Sequence, residues 1–122
     1  MNDNYFFDSY AVIEVLANNK NYEKYSYKNI TLTKLNLFEI YHSVLRDSGE
    51  EDADGVIKRY SPSVIDYDIE TIKEAVRFRL HYKKRNLSMT DCTGYVIAKK
   101  LGIKFLTGDK EFEDMENVEF VK

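Results

Sequence analysis

The chain has 122 residues, of which 43% are hydrophobic and 32% charged, and its formal net charge is −3. This length and composition predict one globular domain over residues 1–122, and the mild acidity is not typical of a dedicated nucleic-acid binder. No apolar run reaches transmembrane length and no signal peptide is evident, so we expect no membrane association. The single cysteine, Cys92, excludes an internal disulfide and favours a reducing cytoplasm as the compartment.

The N-terminal part begins with a short apolar run and continues as an amphipathic segment. Residues 5–8 are typical of a buried strand that ends on an acid, Asp8. Ser9 is placed to cap a helix over residues 10–17. Residues 18–29 are polar and rich in tyrosine, which predicts a loop or a loose helix.

The next segment predicts a second strand and two helices. The β-branched run 30–33 is typical of a strand. Asn36 is placed to cap a helix that extends to about Arg46, and Glu39 follows at the spacing of a capping box. A short second helix is expected to end near Tyr60.

The middle of the chain predicts a weak third strand over residues 63–67, followed by a long helix. Asp68 is placed to cap that helix, which is expected to end near Arg85. Apolar residues recur on one side at the spacing of an inner helix face. They are Ile69, Ile72, Val76 and Leu80.

The C-terminal part predicts one more helix and two more strands. Ser88 is expected to cap the helix, Asp91 falls in its first turn, and Gly102 ends it. The last two strands are predicted over residues 103–106 and 118–121. Strands that alternate with helices indicate an α/β fold, with a mostly parallel sheet between two helical layers.

Four acids occupy similar positions relative to these elements. Asp8 ends the first strand, Glu39 and Asp91 lie near helix starts, and Asp109 follows the fourth strand. In a parallel sheet all four positions can converge on the carboxyl edge. Such a cluster needs a counter-charge, and Mg²⁺ or Mn²⁺ prefers carboxylate oxygens. The pattern therefore predicts a metal site suited to phosphodiester hydrolysis.

Each acid also has a purely structural interpretation. Glu39 can be a capping-box partner, Asp91 a helix-start partner and Asp109 a turn residue. Asp8 is the hardest to explain in this way, because Ser9 already offers a cap. The coincidence of all four on one edge favours function over four unrelated structural roles.

Hydroxyl and basic side chains accompany the acids. Ser9 and Thr107 are adjacent to the acids or the turn and are expected to hydrogen-bond a carboxylate. Several basic residues cluster in the C-terminal half, where they can contact a nucleic-acid backbone or form a solvated surface. They are Lys83, Lys84, Arg85, Lys99, Lys100, Lys104 and Lys110.

Three segments resemble the PIN-domain family of nucleases, and the last is similar to archaeal members. They are FFDSYAVIEVL, LNLFE and SMTDCTGYVIAKKLGIKFLTGDKEFEDMENVEFV. The resemblance extends over essentially the whole chain and is weakest over residues 48–68. It matches Asp8, Glu39, Asp91 and Asp109 to the family's four acids, and Ser9 and Thr107 to its hydroxyl positions.

The resemblance implies more than the spacing does. It implies a five-stranded sheet of order 3-2-1-4-5, bound Mg²⁺ or Mn²⁺, and cleavage of RNA. Many small prokaryotic members are VapC-type toxins that are inhibited by an antitoxin and are often dimeric, so we expect RNA, an antitoxin and a second copy as partners. One departure is the bulky pair Tyr95 and Val96, where many relatives carry alanines.

Two other classes of function remain open from the sequence. A non-catalytic PIN-like module that binds RNA or protein is the main alternative, although the presence of all four acids argues against it. A phospho-acceptor domain of the receiver type needs a lysine at the end of a later strand. Lys104 lies at the start of its strand, so this alternative fits poorly.

Overall fold

The computed structural model describes residues 3–122. In that range the strands are β1 (Asn4–Phe7), β2 (Asn29–Thr31), β3 (Lys104–Thr107) and β4 (Val118–Phe120). The α-helices are α1 (Ser9–Leu16), α2 (Lys34–Ser48), α3 (Glu50–Tyr60), α4 (Ile69–His81) and α5 (Met89–Leu101). Shorter 3₁₀ helices occupy Lys20–Tyr27, Ser61–Ser63 and Lys110–Phe112.

All four strands pair in parallel in the order β2-β1-β3-β4. Side chains alternate between the two faces of the sheet. Phe6 and Phe105 therefore pack with α4 and α5 on one face, and Phe7 and Leu106 pack with α1 and α2 on the other. The predicted α/β fold with a helical layer on each face of a parallel sheet is confirmed.

The prediction of five strands is wrong. The expected third strand over residues 63–67 is reduced to one isolated parallel bridge between Val64 and Leu32. This bridge lies beside β2, where the resemblance implies the outer strand. It does not extend because Thr33 already caps α2, so β2 offers no further backbone to pair with.

The apolar stripe of α4 does not face the core, contrary to the sequence prediction. Its four residues are exposed to solvent, and the exposed fractions of Ile69 and Leu80 are 66% and 62%. The helix instead packs on α5 through Ala75 and through Phe78, whose ring stacks on that of Tyr95 at 4.8 Å. A large aromatic ring at position 95 is thus accommodated as part of the core.

The tyrosine-rich segment, predicted as a loop or a loose helix, contains a 3₁₀ helix that packs against the sheet. Tyr22 and Tyr25 in the 3₁₀ helix Lys20–Tyr27 are buried. Their hydroxyls donate to the carbonyl of Val121 and to the carboxylate of Glu119. Across the described range, no helix is both long and apolar enough to cross a membrane.

Candidate active site

The candidate site lies where β1 and β3 end side by side. The backbone N–H of Asp8, just past β1, donates to the carbonyl of Leu106 at 3.0 Å. Parallel strands share this carboxyl edge, and the helices that follow or precede them start there. We call the four acids at this edge the acidic edge: Asp8, Glu39, Asp91 and Asp109.

Asp8 is held by two hydrogen bonds and is only 3% exposed. One carboxylate oxygen accepts from the backbone N–H of Ser9 at 2.8 Å, and the other accepts from the hydroxyl of Thr107 at 2.7 Å. Asp8 is therefore the N-cap of α1. The prediction that Ser9 caps this helix is wrong, and Asp8 does have a structural role.

Glu39 is not part of a helix cap. The helix α2 begins earlier than predicted, with Thr33 as its N-cap and Asn36 as the capping-box partner. This frees the carboxylate of Glu39, which accepts a hydrogen bond from the hydroxyl of Ser9 at 2.6 Å. Ser9 thus connects Asp8, through its backbone, to Glu39, through its side chain.

Asp91 belongs to a capping box at the start of α5. Its carboxylate accepts from the backbone N–H of Ser88, and its own N–H donates to the Ser88 hydroxyl, both at 3.0 Å. Gly94, one turn later, lets the helix approach the sheet, because an added Cβ would collide with the ring of Phe6. The helix start is therefore brought close to the end of β1.

Asp109 follows β3 after a tightly packed glycine. An added Cβ at Gly108 would overlap the ring of Tyr10 and the carbonyl of Val121. The backbone N–H of Asp109 donates to the hydroxyl of Thr107 at 3.1 Å, and its carboxylate accepts from the N–H of Glu111 at 3.0 Å. Thr107 is thus the common partner of Asp8 and Asp109.

The acids affect one another electrostatically. Burial, followed by the charges of Asp91 and Glu39, raises the pKa of Asp8 to about 8. The pKa of Asp91 is also raised, by burial and then by the charges of Asp109 and Glu39, against the effect of its bonds to Ser88. None of the ion pairs found over residues 3–122 involves the acidic edge. The repulsion is therefore not neutralised by a protein cation.

The acidic edge supplies hard oxygen donors, which are the ligands that Mg²⁺ and Mn²⁺ prefer. Each of the four carboxylates already accepts at least one hydrogen bond from a hydroxyl or a backbone N–H of the protein. In the range that the structure describes, no three acidic, histidine or cysteine side chains are grouped closely enough to hold a metal ion. The donor chemistry fits a divalent cation, but these carboxylates must turn inward to share one.

The predicted basic residues differ in their positions relative to the acidic edge. Arg85, Lys99 and Lys100 form ion pairs with acids in a groove between α4 and α5, away from the acidic edge. Lys104 starts β3 and so lies at the opposite end of the strand from the site. Lys110 is exposed and directly follows Asp109, which leaves it at the acidic edge.

Sequence analysis missed the role of Asn36 at this site. Its amide donates to the hydroxyl of Ser9 at 3.0 Å, and the residue is only 1% exposed. The sequence predicts Asn36 as a helix cap, which explains a polar residue at that position without any further partner. The spacing from Asn36 to Glu39 indicates a capping box and gives no sign of the contact with Ser9.

Comparisons with known proteins agree with this architecture. The PIN domain family model matches residues 5–118. VapC20 from Mycobacterium tuberculosis, described as a Sarcin-Ricin loop cleaving toxin, superposes with a TM-score of 0.76 at 18% identity, over 97% of this chain and 99% of that one. A comparison of the sequence with curated proteins gives no significant match.

Two toxin–antitoxin structures are also similar in fold. One is a toxin–antitoxin complex from Klebsiella pneumoniae, with a TM-score of 0.74 at 15% identity over 94% of this chain and 95% of that one. The other is VapBC2 from Rickettsia felis bound to a promoter DNA fragment, with a TM-score of 0.71 at 14% identity, over 98% of this chain and 99% of that one. The family match extends over nearly the whole chain, and the parallel α/β architecture agrees with it: the protein belongs to the PIN domain family.

Proposed function

We propose that this protein is a metal-dependent endoribonuclease of the VapC toxin type. The observation that carries the proposal is the acidic edge: four carboxylates without a cationic partner in the described chain. The pKa values of two of them, Asp8 and Asp91, are raised by burial and by the charges of neighbouring acids. Asp8 and Asp91 also cap helices, but a cap does not require four carboxylates close together, and their mutual repulsion costs stability unless a cation neutralises it. The repulsion is instead suited to holding Mg²⁺ or Mn²⁺ beside a substrate.

The residues of the acidic edge have distinct roles in this proposal. Asp8, Glu39, Asp91 and Asp109 hold the cation, which supplies activation of water and neutralisation of phosphoryl charge when bound. Thr107 and Ser9 orient the carboxylates of Asp8 and Glu39 through the hydrogen bonds described above. These hydroxyls cannot neutralise charge, so they leave the carboxylates available to a metal.

Lys110 is the basic residue best placed to contact RNA. It is exposed, follows Asp109 directly and has no ion pair within residues 3–122. A lysine there can neutralise a phosphate next to the cleaved bond without competing for the cation. We assign it to positioning of the RNA backbone.

One observation favours the alternative of a non-catalytic PIN-like module that binds RNA or protein. Within the described residues, no three potential ligands are grouped closely enough to hold a metal. A binding module would keep the acidic edge in this open arrangement in the presence of Mn²⁺. A nuclease would close it around the ion.

Cleavage of labelled RNA separates these two functions. The purified protein is incubated with a panel of structured and single-stranded RNAs and Mn²⁺, with and without a chelator. We expect cleavage that the chelator abolishes and that Glu39→Gln lowers on the order of 10³-fold. RNA binding with no metal-dependent cleavage across the panel would support the binding module and reject the nuclease.

A protein partner can cover the site from an adjoining apolar groove. Leu37, Phe38, Tyr41, Leu45 and Ile57 line a groove between α2 and α3, and Phe38 is 74% exposed. Phe38 also lines a second groove that contains Ser9 and Glu39. We propose that an antitoxin packs apolar side chains into the first groove and thereby closes off the acidic edge. Phe38→Glu should weaken inhibition by a cognate antitoxin without lowering cleavage.

The exposed stripe of α4 is proposed to pack against a second copy of the chain. The N-terminal half of this helix and its cap carry three acids, Asp68, Glu70 and Glu74, and one basic residue, Lys73, whereas Arg77 and Arg79 follow in the C-terminal half. Two antiparallel copies of the helix would bury the stripe and place acidic halves against basic halves. Sedimentation should show a dimer that Val76→Glu converts to a monomer, whereas Phe38→Glu leaves it intact.

A further inference from the structure

Asn36 is buried in the first turn of α2, and both ends of its side-chain amide are hydrogen-bonded. Its carbonyl oxygen accepts from the backbone N–H of Thr33 at 2.9 Å and from the Thr33 hydroxyl at 3.1 Å. Its NH₂ group donates to the hydroxyl oxygen of Ser9 at 3.0 Å. The side chain therefore connects the start of α2 to the start of α1.

These partners fix the orientation of the amide. A backbone N–H can only donate, so the atom that faces Thr33 must be the carbonyl oxygen of Asn36, and the NH₂ group must face Ser9. The Ser9 oxygen thus accepts from Asn36, and its single proton is left for another partner. That partner is the carboxylate of Glu39, whose oxygen lies 2.6 Å from the Ser9 oxygen.

We infer that Asn36 is a positioning residue of the acidic edge, which acts through Ser9 to hold the carboxylate of Glu39 in place. The amide directs the Ser9 proton to Glu39, so the carboxylate is held as a hydrogen-bond acceptor facing the site. The catalytic consequence rests on the proposed nuclease function. The arrangement of Asn36, Ser9 and Glu39 is a property of the fold and can be tested separately.

A role limited to helix capping would use a different part of the same side chain. Capping requires the carbonyl oxygen of Asn36, which serves Thr33, whereas positioning requires the NH₂ group, which serves Ser9. Asn36→Asp keeps an acceptor for Thr33 and removes the donor to Ser9. Thr33→Val is the matched control, because it removes one hydrogen bond at the cap and leaves the donor to Ser9 in place.

The positioning role predicts different results for these two variants. Asn36→Asp should lower both Mn²⁺ affinity, measured by calorimetry, and kcat for RNA cleavage by roughly 10- to 100-fold, with little change in KM. Its melting temperature should fall, because a carboxylate replaces a neutral amide at a buried position, so affinity and kcat are measured well below the unfolding transition. Thr33→Val should keep the Mn²⁺ affinity and kcat of the wild type. Equal losses in both variants, or no loss in Asn36→Asp, would show that Asn36 only caps the helix.

A double-mutant cycle tests whether Asn36 acts through Ser9. Ser9→Ala should show the same loss of Mn²⁺ affinity, and adding Asn36→Asp to it should cause no further loss. The cycle also controls for the charge that aspartate introduces, since a purely electrostatic effect would persist without the Ser9 hydroxyl. Losses that add in the double variant would reject the path through Ser9.

Crystal structures of the metal-free variants decide the inference independently of catalysis. In Asn36→Asp we expect Glu39 to leave the Ser9 hydroxyl, and in Thr33→Val we expect it to stay. If the wild type neither binds Mn²⁺ nor cleaves RNA, the proposed function fails while these structures still report on Asn36. A Glu39 side chain that keeps its position in Asn36→Asp overturns the inference.

Discussion

The two halves of the acidic edge are held in place by different kinds of contact. Asp8 and Glu39 are bonded to hydroxyls from distant parts of the chain, since Thr107 is 99 residues from Asp8 and Ser9 is 30 residues from Glu39. Asp91 and Asp109 accept hydrogen bonds from backbone groups only two or three residues away. One half depends on the assembled sheet, and the other depends on local turns and caps.

This difference has a consequence for metal binding. In the half that contains Asp8, the hydrogen-bond partners come from the assembled fold and Asp8 itself is buried, so the positions of these carboxylates are set before any ion arrives. The partly buried carboxylates of Asp91 and Asp109 lie at a helix start and in a turn, where their hydrogen bonds to neighbouring backbone groups can be exchanged at small cost. We therefore expect the first half to select the ion and the second half to close on it.

The largest expected effect is on cleavage by Asp8→Asn. Asparagine is nearly the same size and can still accept from the N–H of Ser9, so the cap of α1 is retained. The charge at the buried centre of the site is lost, and cleavage of RNA should fall on the order of 10³-fold. Single-turnover rates at saturating Mn²⁺ measure this. A rate within tenfold of the wild type would show that the buried half does not hold the ion.

Asp91→Asn should have a smaller effect than Asp8→Asn or Glu39→Gln, and Ser88→Ala is its matched control. Asparagine can still accept from the N–H of Ser88, so the cap survives while the charge is lost. Cleavage should fall about 100-fold with little change in melting temperature. Ser88→Ala should instead cost about 1 kcal/mol of stability and keep most of the activity. The opposite outcome, an unstable but active Asp91→Asn, would make Asp91 a cap only.

The same two halves show how far the sequence predicts the site. The placement of Asp91 and Asp109 can be predicted from the sequence, because the spacing from Ser88 to Asp91 and the turn around Asp109 each involve only a few consecutive residues. The link from Ser9 to Glu39 and the link from Thr107 to Asp8 were expected only as unspecified hydroxyl contacts. Which hydroxyl meets which carboxylate depends on strand order and register, which no local pattern contains.

The helices and strands show the same limit. Periodicity located the apolar stripe of α4 correctly, but periodicity cannot tell whether a stripe faces the core or a partner. The inner face is decided by Ala75 and Phe78, which fit against Tyr95. The missing fifth strand has a similar cause, since the pairing of Val64 is limited by how soon α2 begins after β2.

Asp8 should also give the metal-free protein a distinctive dependence of stability on pH. In the native state Asp8 keeps its proton up to a pKa of about 8, whereas the unfolded side chain loses it near the ordinary value of 3.8. Between these values the native state binds more protons than the unfolded state, so the free energy of unfolding falls as the pH rises. Burial and the charges of Asp91 and Glu39 are the causes.

The difference between the wild type and Asp8→Asn isolates this contribution from the other acids. In chelator, the wild type should lose on the order of 4 kcal/mol relative to Asp8→Asn between pH 5 and pH 8. Urea unfolding at several pH values measures the difference, and Mn²⁺ should reduce it by binding the charged form of the wild type. Parallel stability curves for the two proteins would mean that Asp8 is charged and compensated in the native state.

The smallest expected effect concerns Thr107, the residue that contacts both halves. Its hydroxyl donates to the carboxylate of Asp8 and accepts from the backbone N–H of Asp109. Thr107→Val keeps the shape of the side chain and removes both hydrogen bonds. Cleavage should fall about tenfold, because Asp8 and Asp109 lose the hydroxyl that holds them in a fixed relative position. Thr107→Ser restores the hydroxyl and should recover most of the activity. If valine and serine give equal rates, the hydroxyl does not couple the halves, and each acid is positioned by its own strand or turn alone.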